Sequence, residues 1–146
     1  MMNFNFRLER VLNFKETVEE LKKAEYGSTQ RKLNQEEDKL NSYNQHKSDI
    51  KDEKNLSASK TNGGNLAMYS NYITDLDKKI KSQEEIVSNT RIELEEAKEE
   101  MIEAVQDKKA FEKLKEREYE KYLYQIKKQE EKQMDTIVNY KTSTQK

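Results

Sequence analysis

Along the second half of this chain, apolar residues recur at alternating steps of four and three. They fall at Tyr69, Ile73, Leu76, Ile80, Gln83, Val87, Thr90, Leu94, Ala97, Met101, Ala104, Lys108 and Phe111. Ten of these thirteen positions are apolar, counting Tyr, although the chain as a whole is only 32% apolar. A repeat averaging 3.5 residues predicts a helix that winds left-handedly around a partner helix. Past Phe111 the stripe loosens to Tyr119, Tyr122, Ile126, Ile137 and Tyr140. The first half carries two offset seams. One is Phe4, Leu8, Val11, Phe14, Val18, Leu21; the other is Leu33, Leu40, Tyr43, Ile50. Between them lie Gly27 and little that is apolar, which predicts a phase slip and a soft spot in the coil.

Punctuation is concentrated at one place. Asn62-Gly63-Gly64-Asn65 is the strong turn signal, led in by Ser57, Ser59 and Thr61, and the 146 residues contain no proline that would stop a helix elsewhere. The expected fold is all-α: a long two-helix antiparallel coiled-coil hairpin in a single domain, residues 1–146. Its helices are expected over about residues 6–59 and 66–140, with a turn at about 60–65 and a frayed tail at 141–146. At 1.5 Å per residue the two helices are roughly 80 and 110 Å long. Folding at the turn pairs residues whose numbers sum to about 126, so the second helix overhangs its partner by about twenty residues. Tyr122, Leu123, Tyr124, Ile126, Met134, Ile137, Val138 and Tyr140 are then expected to lack an intramolecular partner.

Composition narrows the function classes. With no Cys there is no disulfide scaffold, zinc ribbon or thiol nucleophile, and the lone His46 excludes His-cluster metal sites and most Ser/His/Asp arrangements. The charges, 28 basic and 29 acidic, nearly cancel, which argues against the strongly charged disordered class. No apolar run reaches the roughly 18–20 residues of a membrane span. The opening MMNFNFRLER lacks the apolar stretch of a secretory signal, so a cytoplasmic, soluble protein is expected. No Gly-rich phosphate loop occurs, and carboxylate pairs such as Glu84-Glu85 and Glu95-Glu96 have the ordinary look of a solvated helix face. An enzyme is therefore not expected, nor a cofactor or metal.

Charge is uneven along the chain. Residues 84–107 hold nine acids and two bases, whereas residues 108–146 hold eleven Lys/Arg and seven Asp/Glu. That basic, overhanging end is expected to enter a partner, and its modest charge favours protein over nucleic acid. Lys22, Lys23, Arg31, Lys32 and Lys39 face the acidic stretch and could mark register locally. Tyr43 and Tyr69 fall on seam positions and are expected to pack. Tyr72 precedes the seam residue Ile73 and is expected at the margin, where an exposed Tyr can anchor a protein contact. His46 falls outside the seam and is expected to be exposed.

Three stretches together resemble the FliJ family of flagellar type III export proteins. They are Phe4-x-Phe6-x-Leu8-x-x-Val11-Leu12 with Lys15 and Glu19, then Tyr69-x-x-Tyr72-Ile73-x-x-Leu76-x-x-x-Ile80-x-x-Gln83, and Leu94-x-x-Ala97 through Lys108-Lys109-x-Phe111-Glu112-Lys113-Leu114. The resemblance implies a non-catalytic stalk similar to that of rotary ATPases. Its terminal end would enter the pore of the hexameric flagellar export ATPase, promoting assembly and activity. It would also contact the export gate membrane protein and escort export chaperones, as a monomer peripherally associated with the inner-membrane apparatus. Carried over, the side patch toward the turn falls on Tyr43, Tyr72, Leu76 and Gln83, and the pore-entering end on Phe6, Arg7, Arg117, Lys121, Tyr122 and Ile126. Lys79 departs from the family pattern, which has a small residue there. The equivalent stalk of a virulence type III secretion system and a generic coiled-coil scaffold remain as alternatives. A nucleic-acid binder would need tight, steeply salt-dependent binding.

Overall fold

The computed structural model describes residues 3–58 and 63–144, and among them the chain is all-α, with α1 at Glu9–Ala58 and α2 at Gly63–Thr144. The two helices pack as an antiparallel hairpin, and the chain divides into two compact units. One unit is Leu21–Met101; the other joins Met1–Glu20 to Ile102–Lys146.

The helix ends differ from the sequence expectation in three places, each with a local cause. α1 begins at Glu9 because residues 3–6 leave the helical path and lie against α2. Phe6 is buried, and the Phe4 ring meets Tyr119 edge-on at 5.1 Å and Tyr122 at 5.5 Å. Burying two aromatic rings outweighs one more helical turn. The Glu9 amide donates to the Phe6 carbonyl at 3.1 Å, and the Glu9 carboxylate suits the positive end of the helix. α2 already begins at Gly63, so Gly63, Gly64 and Asn65 belong to its first turn, while the rest of the expected chain reversal lies outside the described residues. At the other end α2 continues through Thr144 rather than fraying at 141, with Lys141 complementing the negative helix terminus. Residues 145–146 lie outside the described residues.

In the Leu21–Met101 unit the seam is as the spacing predicts. Leu76, Ile80, Val87 and Thr90 of α2 are buried, and Leu33 is buried from α1, with Leu40, Tyr43 and Ile50 half-buried beside it. Register is marked by ion pairs at the seam's edges: Lys22–Glu100 at 3.0 Å, Lys32–Glu93 at 3.2 Å, Arg91–Glu37 at 3.1 Å, and Lys47 with Asp77. Lys22 and Lys32, two of the five bases expected to face the acidic stretch, do so.

The first-helix seam requires a correction. Phe14 is 63% exposed and Leu21 57%, while Val11 and Val18 are half-buried, so the expected line through Val11, Phe14, Val18 and Leu21 runs along the flank of the coil and not in its seam. The positions that face inward are Leu8, Leu12, Lys15, Glu19, Lys22, Tyr26, Thr29 and Leu33, all buried or half-buried and spaced by an unbroken alternation of four and three. There is no phase slip at Gly27, which sits inside α1 with room for a methyl group. A Cβ there would meet only the Arg31 guanidinium, at 3.7 Å. The seam is continuous although one of its positions is charged: Glu19, only 7% exposed, holds its place by pairing with Lys108 at 3.4 Å.

In the Met1–Glu20 and Ile102–Lys146 unit the seam is mixed: Phe6, Leu12 and Ala104 are buried, and charged residues share the line with them. Lys15 reaches Asp107 at 3.7 Å and lies over the Phe111 ring at 5.9 Å, and Lys115 pairs with Glu9 at 2.9 Å. On α2 the four-and-three alternation continues past Phe111 through Lys115, Glu118 and Tyr122, with Ile126 also half-buried. Tyr122 therefore does not lack a partner, contrary to expectation. The stretch 127–144 is exposed throughout.

Candidate functional site

Two surfaces gather the residues singled out in the sequence. The first is in the Leu21–Met101 unit. Tyr72 is 45% exposed, and its hydroxyl lies 2.7 Å from His46 Nε2, with the two rings edge-to-face at 5.6 Å. Both residues directly precede a seam residue, Lys47 for His46 and Ile73 for Tyr72, so both stand on the same flank of the coil. Beside them a shallow cavity of about 400 Å³ is lined by Ile50, Met68, Tyr69, Asn71, Tyr72 and Asp75. Tyr43 is half-buried in the seam.

Leu76 and Gln83 do not reach this surface. Leu76 is 4% exposed and Gln83 5%, and the Gln83 amide donates from Nε2 to the Glu36 carbonyl at 2.9 Å and also to the Glu36 carboxylate. Both side chains hold the helices together beneath the patch instead of presenting themselves to a partner. The seam spacing alone carries the signal, since 76 and 83 are one heptad apart within it. The His46 partner of Tyr72, by contrast, requires knowing the register of both helices.

The second surface is the distal end. Arg7, Arg117 and Lys121 are exposed, whereas Phe6 is buried and Tyr122 and Ile126 are half-buried. The aromatic cluster of Phe4, Tyr119 and Tyr122 clamps the start of the chain to α2 at this end, with Tyr119 and Tyr122 centroids 6.3 Å apart. Beyond it Tyr124 lies under Lys128 at 5.0 Å, and Met134, Ile137, Val138 and Tyr140 are exposed on bare helix.

Electrostatics follow the pairing. Burial alone would lower the Lys108 ammonium, but the hydrogen bond and charge of Glu19, then of Glu112, outweigh it and hold its pKa above the ordinary 10.5. Lys22 is likewise held above 10.5, first by its hydrogen bond to Glu100 and then by that to Glu25. Among the described residues no cluster of His, Asp or Glu is arranged to hold a metal ion, and no helix is long and apolar enough to cross a membrane.

A two-helix seam with exposed aromatic and basic residues at its margins defines an all-α antiparallel helical hairpin. The family model described as flagellar FliJ protein matches residues 4–146, and the chain belongs to that family. Among solved structures it is similar to a YscO homolog, CT670, from Chlamydia trachomatis, at 20% identity over 99% of each chain and a TM-score of 0.64. No match was found among curated proteins.

Proposed function

We propose that the chain acts as a non-catalytic stalk of a flagellar type III export apparatus, its distal end entering the central pore of the hexameric export ATPase. The observation that carries this reading is the stretch 127–144 of α2, which runs on exposed past the point where Phe4 closes the hairpin and bears Met134, Ile137, Val138 and Tyr140. A lone amphipathic helix of this kind gains by being enclosed. Arg7, Arg117 and Lys121 stand at its base for charge contacts with the ring, while Phe6, Tyr122 and Ile126 brace it. By binding the assembled hexamer and not its subunits, the stalk raises turnover through mass action.

Contacts with the export gate and with escorted chaperones belong, in this reading, to the Tyr72 flank. Tyr43, Leu76 and Gln83 shape that flank from within. Cytoplasmic location and peripheral attachment to the inner-membrane apparatus follow from those partners. A second reading, the equivalent stalk of a virulence type III secretion system, draws on the fold shared with the YscO homolog. Complementation of a flagellar deletion strain separates the two.

The test is truncation. A chain ending after Ile126 keeps the aromatic clamp and the whole seam, and should no longer stimulate the cognate ATPase. Undiminished stimulation by that shortened chain would sink the pore assignment.

A further inference from the structure

α1 carries a second apolar line that the hairpin covers only in part: Phe14 is exposed, and Val11 and Val18 are half-buried on either side of it. Val11, Phe14 and Val18 follow helical steps of three and four, the spacing by which a helix offers anchors to another helix. Phe14 is among the most exposed large apolar side chains of its unit. Val11 directly precedes the seam residue Leu12, and Leu114 of α2 directly precedes the seam residue Lys115. They therefore stand on the same flank, in the register set by Glu9–Lys115 and by Lys15 over Phe111. Leu114 is also exposed, so the flank is formed by both helices.

Cations outnumber carboxylates on this flank and its border. Arg117 and Lys121 stand on it further toward the distal end, directly before Glu118 and Tyr122, and Arg10 and Lys113 border it from the outer faces. All four are exposed and have no ion-pair partner among the described residues. Of the two carboxylates here, Asp107 is already engaged by Lys15, and Glu120 stands on the outer border as Lys113 does. The opposite flank carries Glu9, Glu16, Glu112 and Glu116 instead. An apolar line at helical spacing, with cations on its borders, fits an amphipathic helix with acidic borders.

We infer that the flank formed by Val11, Phe14, Val18 and Leu114 is a docking surface for an acidic amphipathic helix of a partner protein. The partner lays its apolar stripe along Phe14 and places its carboxylates against Arg10, Lys113, Arg117 and Lys121. The result is a local three-helix arrangement in which the charges fix the partner's direction. The apolar line of this site is separate from the exposed 127–144 stretch and stands whether or not that stretch enters an ATPase ring; Arg117 and Lys121 lie between the two and serve both readings.

The experiment uses the full chain and a synthetic three-heptad helical peptide, with leucine at its seam positions and glutamate at the flanking ones. Its control is the same peptide with lysine in place of glutamate. Fluorescence anisotropy should show binding of the acidic peptide only, weakened by salt. Phe14→Ser should weaken it by about tenfold or more, and Arg117→Glu with Lys121→Glu should do the same. Ile92→Ser, which removes an exposed isoleucine from the other unit, should change it by less than about twofold. Unchanged melting of Phe14→Ser, monitored by circular dichroism, establishes that the variant is folded. Equal binding of both peptides, or no loss in Phe14→Ser, overturns the proposal. So does a Phe14-dependent dimer of the chain in sedimentation, which would make the occupant a second copy. Phe14-dependent binding to phosphatidylglycerol vesicles in place of the peptide would overturn it in favour of a lipid surface.

Discussion

The two units solve the same packing problem with different chemistry. In Leu21–Met101 the seam is filled by Leu33, Leu76, Ile80 and Val87, and charged residues pair at its edges. In the unit of Met1–Glu20 with Ile102–Lys146, Phe6, Leu12 and Ala104 are buried, but Lys15, Glu19, Lys108 and Lys115 share the seam with them, while Phe14 and Leu114 face outward. An apolar seam contributes stability through area removed from water. A charged one contributes less, because desolvation offsets the Coulomb gain, but it tolerates few alternative registers.

Substitutions can break that comparison. The largest effect is expected for Leu76→Ala, which leaves a cavity in the apolar seam and should cost about 2–4 kcal/mol in chemical denaturation. A cost as small as that of a surface change would mean the seam is not what stabilises this unit. Glu19→Ala should lower the melting temperature by a smaller amount, since it removes the Lys108 ammonium's partner across the seam and leaves it only Glu112 on its own helix. The exchanged pair Glu19→Lys with Lys108→Glu should recover most of the loss, and failure to recover would remove the register role from this ion pair.

Gly27→Ala should raise stability by about 0.5–1 kcal/mol, since the helix has space for the methyl and the unfolded chain loses freedom. Destabilisation would indicate that α1 is distorted there. The ion pairs of both units also predict a pH dependence. Because Lys22 and Lys108 have folded pKa values above 10.5, their stabilisation is complete below pH 10.5 and is lost as pH rises through the folded values. Thermal melts above that pH should fall for the parent chain, and fall less for a Lys108→Met variant. Smallest of all is Phe14→Ala, expected within about 0.5 kcal/mol of the parent in stability because its ring is exposed.

How far the sequence could be read depended on which helix was being read. The second-helix seam from Tyr69 to Phe111 was legible because ten of its thirteen positions are apolar, so periodicity alone located it. All thirteen proved buried or half-buried. The start of the first helix was misread because two of its true seam residues, Lys15 and Glu19, become compatible with burial only through Asp107 and Lys108 on the other helix. Apolarity counted along one strand of sequence cannot reveal a charge satisfied across the seam. Within the side patch, the marginal position of Tyr72 was legible from its place before Ile73. Its bond to His46 was not, since it depends on how α1 and α2 are matched. The first helix was expected to start at about Phe6 but starts at Glu9, because no local signal announces that Phe4 will fold onto Tyr119 and Tyr122.

The proposal that the distal unit is the one enclosed by a partner can be tested at single positions. A photo-crosslinking amino acid placed at Ile137, on the bare end of α2, should form an adduct with the export ATPase when the hexamer is assembled. The same group at Ile92, exposed on the other unit, should form none. Crosslinks from position 92 with none from position 137 would contradict the account.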